Sequence, residues 1–176
     1  MDNFIFIKRK AFSEKDCKHL INHFEKNNLS HRDLKKIRGY TSVSDNLLDF
    51  PGYRDILLSY IHEYCSQHPF LGNLYFEWGI DYHFNIQKYE PEQAYRDEHM
   101  EHGNQEHDSK RLLGWMVYLN DIKYKGGTCW PQQRFTSRPR QGDLYIWPAA
   151  WTHSHYGVPA PKEIKYIVTG WAKMGP

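Results

Sequence analysis

Apolar residues recur at helical spacing through the first third of the chain and alternate, as in strands, through the rest. Cys17, Leu20, Ile21 and Phe24 fall at i, i+3, i+4 and i+7, which predicts an amphipathic helix over residues 14–26. Ser13 is its expected N-cap, with Glu14 and Asp16 in the first turn. A second stripe, Ile56, Leu57, Tyr60, Ile61 and Tyr64, predicts a helix over 53–66, opened by Pro51 and Gly52 and ended before Pro69. Residues 3–7 read as a short strand, and the polar stretch 27–49 as a long surface loop.

Residues 74–89 read as two strands separated at Gly79, with Tyr82, Phe84 and Ile86 facing one way and His83, Asn85, Gln87 and Tyr89 the other. Further strands are expected at 112–120, 129–135, 144–147, 152–156 and 164–172, with turns at Gly126-Gly127 and Gln141-Gly142. The stretch 90–110 is a polar loop rich in acids and histidine and a candidate lid. This order predicts an α+β, mainly β fold, a sandwich or barrel. Supporting helices occupy about 13–70 and the β core about 72–173, in one domain spanning 1–176. In the last strand Lys165, Ile167, Thr169 and Trp171 share a face. A lysine on an interior face needs an anion, because an unpaired buried charge is too costly to keep. Either the chain supplies that anion or a bound carboxylate does.

Composition narrows the setting. Aromatic residues make up 16 % of the chain, which suits a sheet-rich protein with an aromatic-lined cavity. A net charge of +2 gives no general case for nucleic-acid or membrane partners, and the basic runs 8–10 and 32–38 read as solvated surface. Cys17, Cys65 and Cys129 form no CxxC pair, which points to a reducing compartment. No apolar run approaches the roughly 20 residues of a membrane span, and the N-terminus lacks a signal-peptide pattern. A soluble, cytoplasmic protein is the expectation.

Three His-x-acid pairs occur: His23/Glu25, His31/Asp33 and His99/Glu101. The first lies on a helix, where residues two apart point away from each other. The second lies in the polar loop with no strand to hold it. The third borders strands, and extended backbone projects residues two apart to one side, about 6–7 Å from each other. His155 follows His99 by 56 residues, and Lys165 lies ten further on. Two histidines and a carboxylate on one face of a metal describe a non-haem Fe(II) site with three open positions. Alternation alone leaves His153 and His155 competing for the second histidine.

Between residues 86 and 171, the segments IQKYEPEQAYRDEHME, WMVYLNDIKYKGGT, RPRQGDLYIWPAAWTHSHYGVP and IKYIVTGW carry a resemblance. They resemble the Fe(II)/2-oxoglutarate-dependent dioxygenases, most closely the prolyl-4-hydroxylase-like branch. The resemblance implies a double-stranded β-helix (jelly roll), with His99, Glu101 and His155 as iron ligands. The pattern His-x-Gly-x-Pro and the spacing to the lysine select His155 over His153. Lys165 would pair with the distal carboxylate of 2-oxoglutarate, Tyr89 and Tyr118 would contact the same molecule, and His153, Thr169 and Trp171 would wall the pocket. The implied cofactors are Fe(II), 2-oxoglutarate and O2, with ascorbate as a candidate reductant.

The implied reaction hydroxylates an unactivated C–H bond and releases succinate and CO2. Its substrate would be a small molecule, peptide or protein, prolyl groups among them. The chain departs from the family pattern in carrying Glu101 where Asp is commoner and Glu92-Gln93 where a glycine is frequent. Glu101 itself argues against halogenation. The rival reading is a metal-binding cupin-type module or isomerase without oxygenase activity, which leaves Lys165 without a role. A structural zinc site would call for cysteines near these histidines. The sequence carries no sign of oligomeric state.

Overall fold

The computed structural model describes residues 2–28, 40–74 and 76–175. In order, the elements are β1 (Phe6–Lys8), α1 (Glu14–Asn28), β2 (Thr41–Asn46), α2 (Pro51–Gln67), α3 (Pro69–Gly72), β3 (Trp78–Tyr89) and α4 (Glu106–Ser109). They continue with β4 (Arg111–Tyr118), β5 (Thr128–Trp130), β6 (Phe135–Thr136), β7 (Leu144–Pro148), β8 (Tyr156–Gly157) and β9 (Lys165–Met174). Single 3-10 turns lie at Leu47–Asp49 and Trp151–His153. The strands form a six-stranded sheet, β1-β7-β4-β9-β3-β2, and a three-stranded sheet, β6-β5-β8. All the pairings are antiparallel. The expected mainly-β architecture with helices at its N-terminal end is what the chain adopts.

Alternation explains how the large sheet carries both the core and the site. On β3, β4, β7 and β9 one face presents Phe84, Ile86, Leu113, Trp115, Val117, Leu144, Ile146 and Val168. These pack with Cys17, Leu20 and Phe24 of α1 and Leu57, Ile61 and Tyr64 of α2. The opposite face carries Tyr89, Met116, Tyr118, Tyr145, Trp147 and Ile167. Gly170 keeps the first face close-packed: a Cβ there would lie 2.4 Å from the Trp115 ring on the neighbouring strand. The helices seal one face of the sheet and leave the other to form a cavity.

Local signals account for the helix ends. Ser13 and Asp16 cap α1 reciprocally: the Ser13 hydroxyl accepts from the Asp16 N–H at 3.2 Å, and the Asp16 carboxylate accepts from the Ser13 N–H at 3.0 Å. Pro51 occupies the first turn of α2, where its missing N–H costs nothing.

Several expectations are corrected. The stretch 27–49 is not all loop: α1 extends to Asn28, and β2 with its following turn occupies 41–49. β2 is an edge strand whose only buried residue is Val43, so it lacked an apolar signal. Residues 29–39, with the His31/Asp33 pair and the run 32–38, lie outside the described residues. Gly79 does not divide the segment into separate strands. β3 is continuous, with a register irregularity between Ile80 and Phe84 that leaves Tyr82 exposed instead of sharing the buried face of Phe84 and Ile86. The strand expected at 129–135 is two short strands joined by a turn. Residues 152–156 are not one strand: a 3-10 turn is followed by the bridge at His155 and the start of the two-residue β8. Among the described residues no helix is long and apolar enough to cross a membrane.

Candidate metal centre and active site

Main-chain pairing places the two histidines. His99 and His155 form an isolated antiparallel bridge, with the His155 N–H donating to the His99 carbonyl at 2.8 Å and the reverse bond at 3.0 Å. The rings are tilted at 54° to each other with centroids 4.4 Å apart. Nδ1 of His99 lies 2.9 Å from the Asp97 carbonyl, and Nδ1 of His155 lies 3.0 Å from the His153 carbonyl. A carbonyl only accepts, so each Nδ1 carries the hydrogen and each Nε2 is the nitrogen left available to a metal. Glu101, two residues along, brings Oε1 to 3.1 Å from Nε2 of His155. One ligand atom from each of these three residues lies within 4.8 Å of the other two, a grouping that fits a metal ion.

The carboxylate is buried and well partnered. Trp171 donates its indole N–H to Oε2 at 2.7 Å, and Arg111 stacks 3.7 Å above the Trp171 ring while donating to the Glu101 carbonyl at 3.1 Å. Burial by itself pushes the Glu101 carboxyl up. The hydrogen bond and charge of His155, the charge of His99 and the Trp171 donor outweigh that and bring it down to about 2. Two histidine nitrogens and a carboxylate held ionised fit a divalent cation.

At the far end of the same cavity Lys165 is 3 % exposed. Its Nζ donates to the Gly126 carbonyl at 2.9 Å and lies 4.5 Å from the centre of the Tyr89 ring. No acid among the described residues pairs with it. Burial therefore lowers its pKa to about 8. The anion required by a buried ammonium is not supplied by these residues.

The cavity between the two ends measures about 320 Å3. Tyr89, Tyr118, Thr169 and Trp171 all line it. The Tyr89 hydroxyl donates to Gln87 at 2.7 Å, the Tyr118 hydroxyl lies 2.7 Å from that of Ser137, and the Thr169 hydroxyl donates to the Trp115 carbonyl at 3.0 Å. His153 does not line it. The 3-10 turn breaks the alternation that would have set it beside His155, and its Nε2 instead meets the Asn3 carbonyl at 2.9 Å. Sequence reasoning missed Arg111, Gly114 and Tyr95. Tyr95 packs against His99 in a tilted contact at 4.2 Å and follows no motif, while Arg111 and Gly114 look like an ordinary strand start and a strand glycine.

The family model described as the 2OG-Fe(II) oxygenase superfamily matches residues 84–173. Among solved structures, a collagen prolyl hydroxylase of Paramecium Bursaria Chlorella virus-1, bound to 2-oxoglutarate, is 19 % identical with a TM-score of 0.71, over 99 % of this chain and 97 % of that one. A Pseudomonas putida prolyl-4-hydroxylase is 14 % identical with a TM-score of 0.71, over 98 % and 94 %. A Trichoplax adhaerens prolyl hydroxylase, in complex with a hypoxia inducible factor peptide, is 16 % identical with a TM-score of 0.71, over 97 % and 84 %. At these identities the likeness concerns the fold, a double-stranded β-helix. No curated protein matches this chain in sequence.

Proposed function

The chain belongs to the 2OG-Fe(II) oxygenase superfamily, and from that premise we propose that it hydroxylates prolyl groups of a peptide or protein. It is an Fe(II)- and 2-oxoglutarate-dependent dioxygenase. In this reading Nε2 of His99, Nε2 of His155 and Oε1 of Glu101 hold the iron. Lys165 pairs with the distal carboxylate of 2-oxoglutarate, and Tyr89 and Tyr118 wall its binding site. When bound, iron and 2-oxoglutarate supply the oxidising chemistry, with succinate and CO2 as co-products. The protein's own role is to orient these groups and to exclude water with Trp130, Trp147 and Tyr95, which pack against the two histidines.

The observation that carries the reading is that a buried lysine, with no acid beside it among the described residues, shares one cavity with three metal-type donors. A cupin-type module has no use for that lysine. The prolyl assignment draws on the three structural neighbours, all prolyl hydroxylases by name. We also read the described elements as one domain, and a cytoplasmic setting suits three cysteines of which none forms a disulfide.

Two measurements test it. Anaerobic addition of Fe(II) and then 2-oxoglutarate to the apo protein should raise a visible charge-transfer band. Proline-containing peptides incubated with the aerobic enzyme should gain one oxygen atom by mass spectrometry. A band without any oxygenated peptide would keep the dioxygenase and reject the prolyl substrate.

A further inference from the structure

We propose that Gly114, Trp171 and Arg111 form a cradle that admits a glutamate at the carboxylate position and presents only one of its oxygens to the metal. This rests on the reading of Glu101 as a metal ligand. Gly114 of β4 is paired with Trp171 of β9 and Trp147 of β7. A Cβ there would lie 3.0 Å from Cγ of Glu101 and 2.9 Å from the Trp147 ring. The longer arm of glutamate thus lies over bare backbone, in space that any other residue at 114 would fill.

The carboxylate head is divided between two partners. Oε1 faces His155 at 3.1 Å, on the side where the metal donors converge. Oε2 accepts the Trp171 indole N–H at 2.7 Å, on the protein side. Arg111 fixes that indole by stacking on it at 3.7 Å, and its guanidinium is itself tied to Asp108 at 2.8 Å. The contrast with other indoles is sharp: the buried N–H groups of Trp115, Trp130 and Trp147 have no acceptor among the described residues. A carboxylate free to turn can chelate a metal through both oxygens. Doing so would take one of the three positions that two histidines and a carboxylate leave open, positions that 2-oxoglutarate and O2 must share. Trp171 is therefore a positioning residue that keeps Oε2 away from the metal.

The experiment uses the full chain. In 15N-labelled protein the Trp171 indole N–H should resonate downfield of the three unpartnered indoles and exchange slowly. It should stay there when Zn(II), a diamagnetic probe, is added. Movement of that signal into the range of the other indoles on Zn(II) binding would overturn the proposal, because Oε2 would have left the indole for the metal. In Trp171→Phe, Co(II) should still bind, but with an altered visible spectrum and a 2-oxoglutarate half-saturation raised about tenfold. An unchanged spectrum with an unchanged 2-oxoglutarate titration would also overturn it. If Trp171→Phe does not fold, the measurement on the unaltered chain decides. Failure of the unaltered chain to take up Zn(II) or Co(II) at all would instead remove the metal-centre reading on which the cradle depends.

Discussion

The two ends of the cavity each hold a buried charge, and the chain treats them in opposite ways. Glu101, 9 % exposed, has His155 at one carboxylate oxygen and the Trp171 indole N–H at the other, and is held ionised. Lys165, 3 % exposed, has one carbonyl and one aromatic face and is pushed toward losing its proton. A buried charge surrounded by its own chain's partners is integral to the fold. One left with a single neutral acceptor marks where a ligand is to come, because the cost of burying it is repaid only on binding. On the proposed reading, the carboxylate end is thus built in advance, and the cation end is completed by its ligand.

The comparison breaks most drastically at the carboxylate end. His155→Ala removes the Nε2 that faces Oε1 of Glu101, so the anaerobic charge-transfer band should vanish and turnover should be lost. Retention of the band would show that the metal sits elsewhere. At the other end Lys165→Met should leave metal uptake intact and raise the 2-oxoglutarate half-saturation by about 10- to 100-fold, the worth of a charge-assisted contact. Equal weakening of metal and 2-oxoglutarate would mean the two ends are not separable.

Stability sharpens the contrast further, with a sign that can be worked out. The Lys165 pKa drops from 10.5 to about 8 in the ligand-free protein. Below about pH 8 both folded and unfolded states carry the proton, and the burial penalty is constant. Between about 8 and 10.5 the unfolded chain keeps a proton that the folded one has released, so the contribution of Lys165 to stability rises with pH. Urea midpoints should therefore show ligand-free Lys165→Met to be more stable than the parent at pH 7, by up to about 3 kcal/mol. That gap should close as pH passes 10.5. In parallel, 2-oxoglutarate binding by the parent should weaken above about pH 8, and binding by the variant should not follow that trend. The smallest effect belongs to a residue at neither end. His153→Ala should cost about 1 kcal/mol of stability through the lost bond to Asn3 and leave both titrations unchanged. A shift in either titration would put His153 back in the site.

What the sequence made legible followed from periodicity, and what it hid followed from breaks in periodicity. Lys165, Thr169 and Trp171 could be set on one face because β9 is regular, and they do line one cavity. The His99–Glu101 pair could be set beside a distant histidine because the motif fixes local spacing and the resemblance supplied the partner. His153 was misplaced because a 3-10 turn looks like a strand when it carries the same residues. β2 was missed because an edge strand with one buried residue offers no alternation to read. The roles of Arg111 and Gly114 depend on strands β7 and β9, which reach them only through tertiary pairing. No local pattern encodes that.

The bridge between His99 and His155 also bears on how the protein assembles. It joins segments separated by 56 residues, so the donor set cannot exist until the later segment has closed a long loop onto the earlier one. A nascent chain offers at most His99 and Glu101, a two-point site, however much metal surrounds it. Metal should then arrive after the rate-limiting step of folding. Refolding in the presence of Zn(II) should proceed at the metal-free rate, and the ion should act by slowing escape from the folded state.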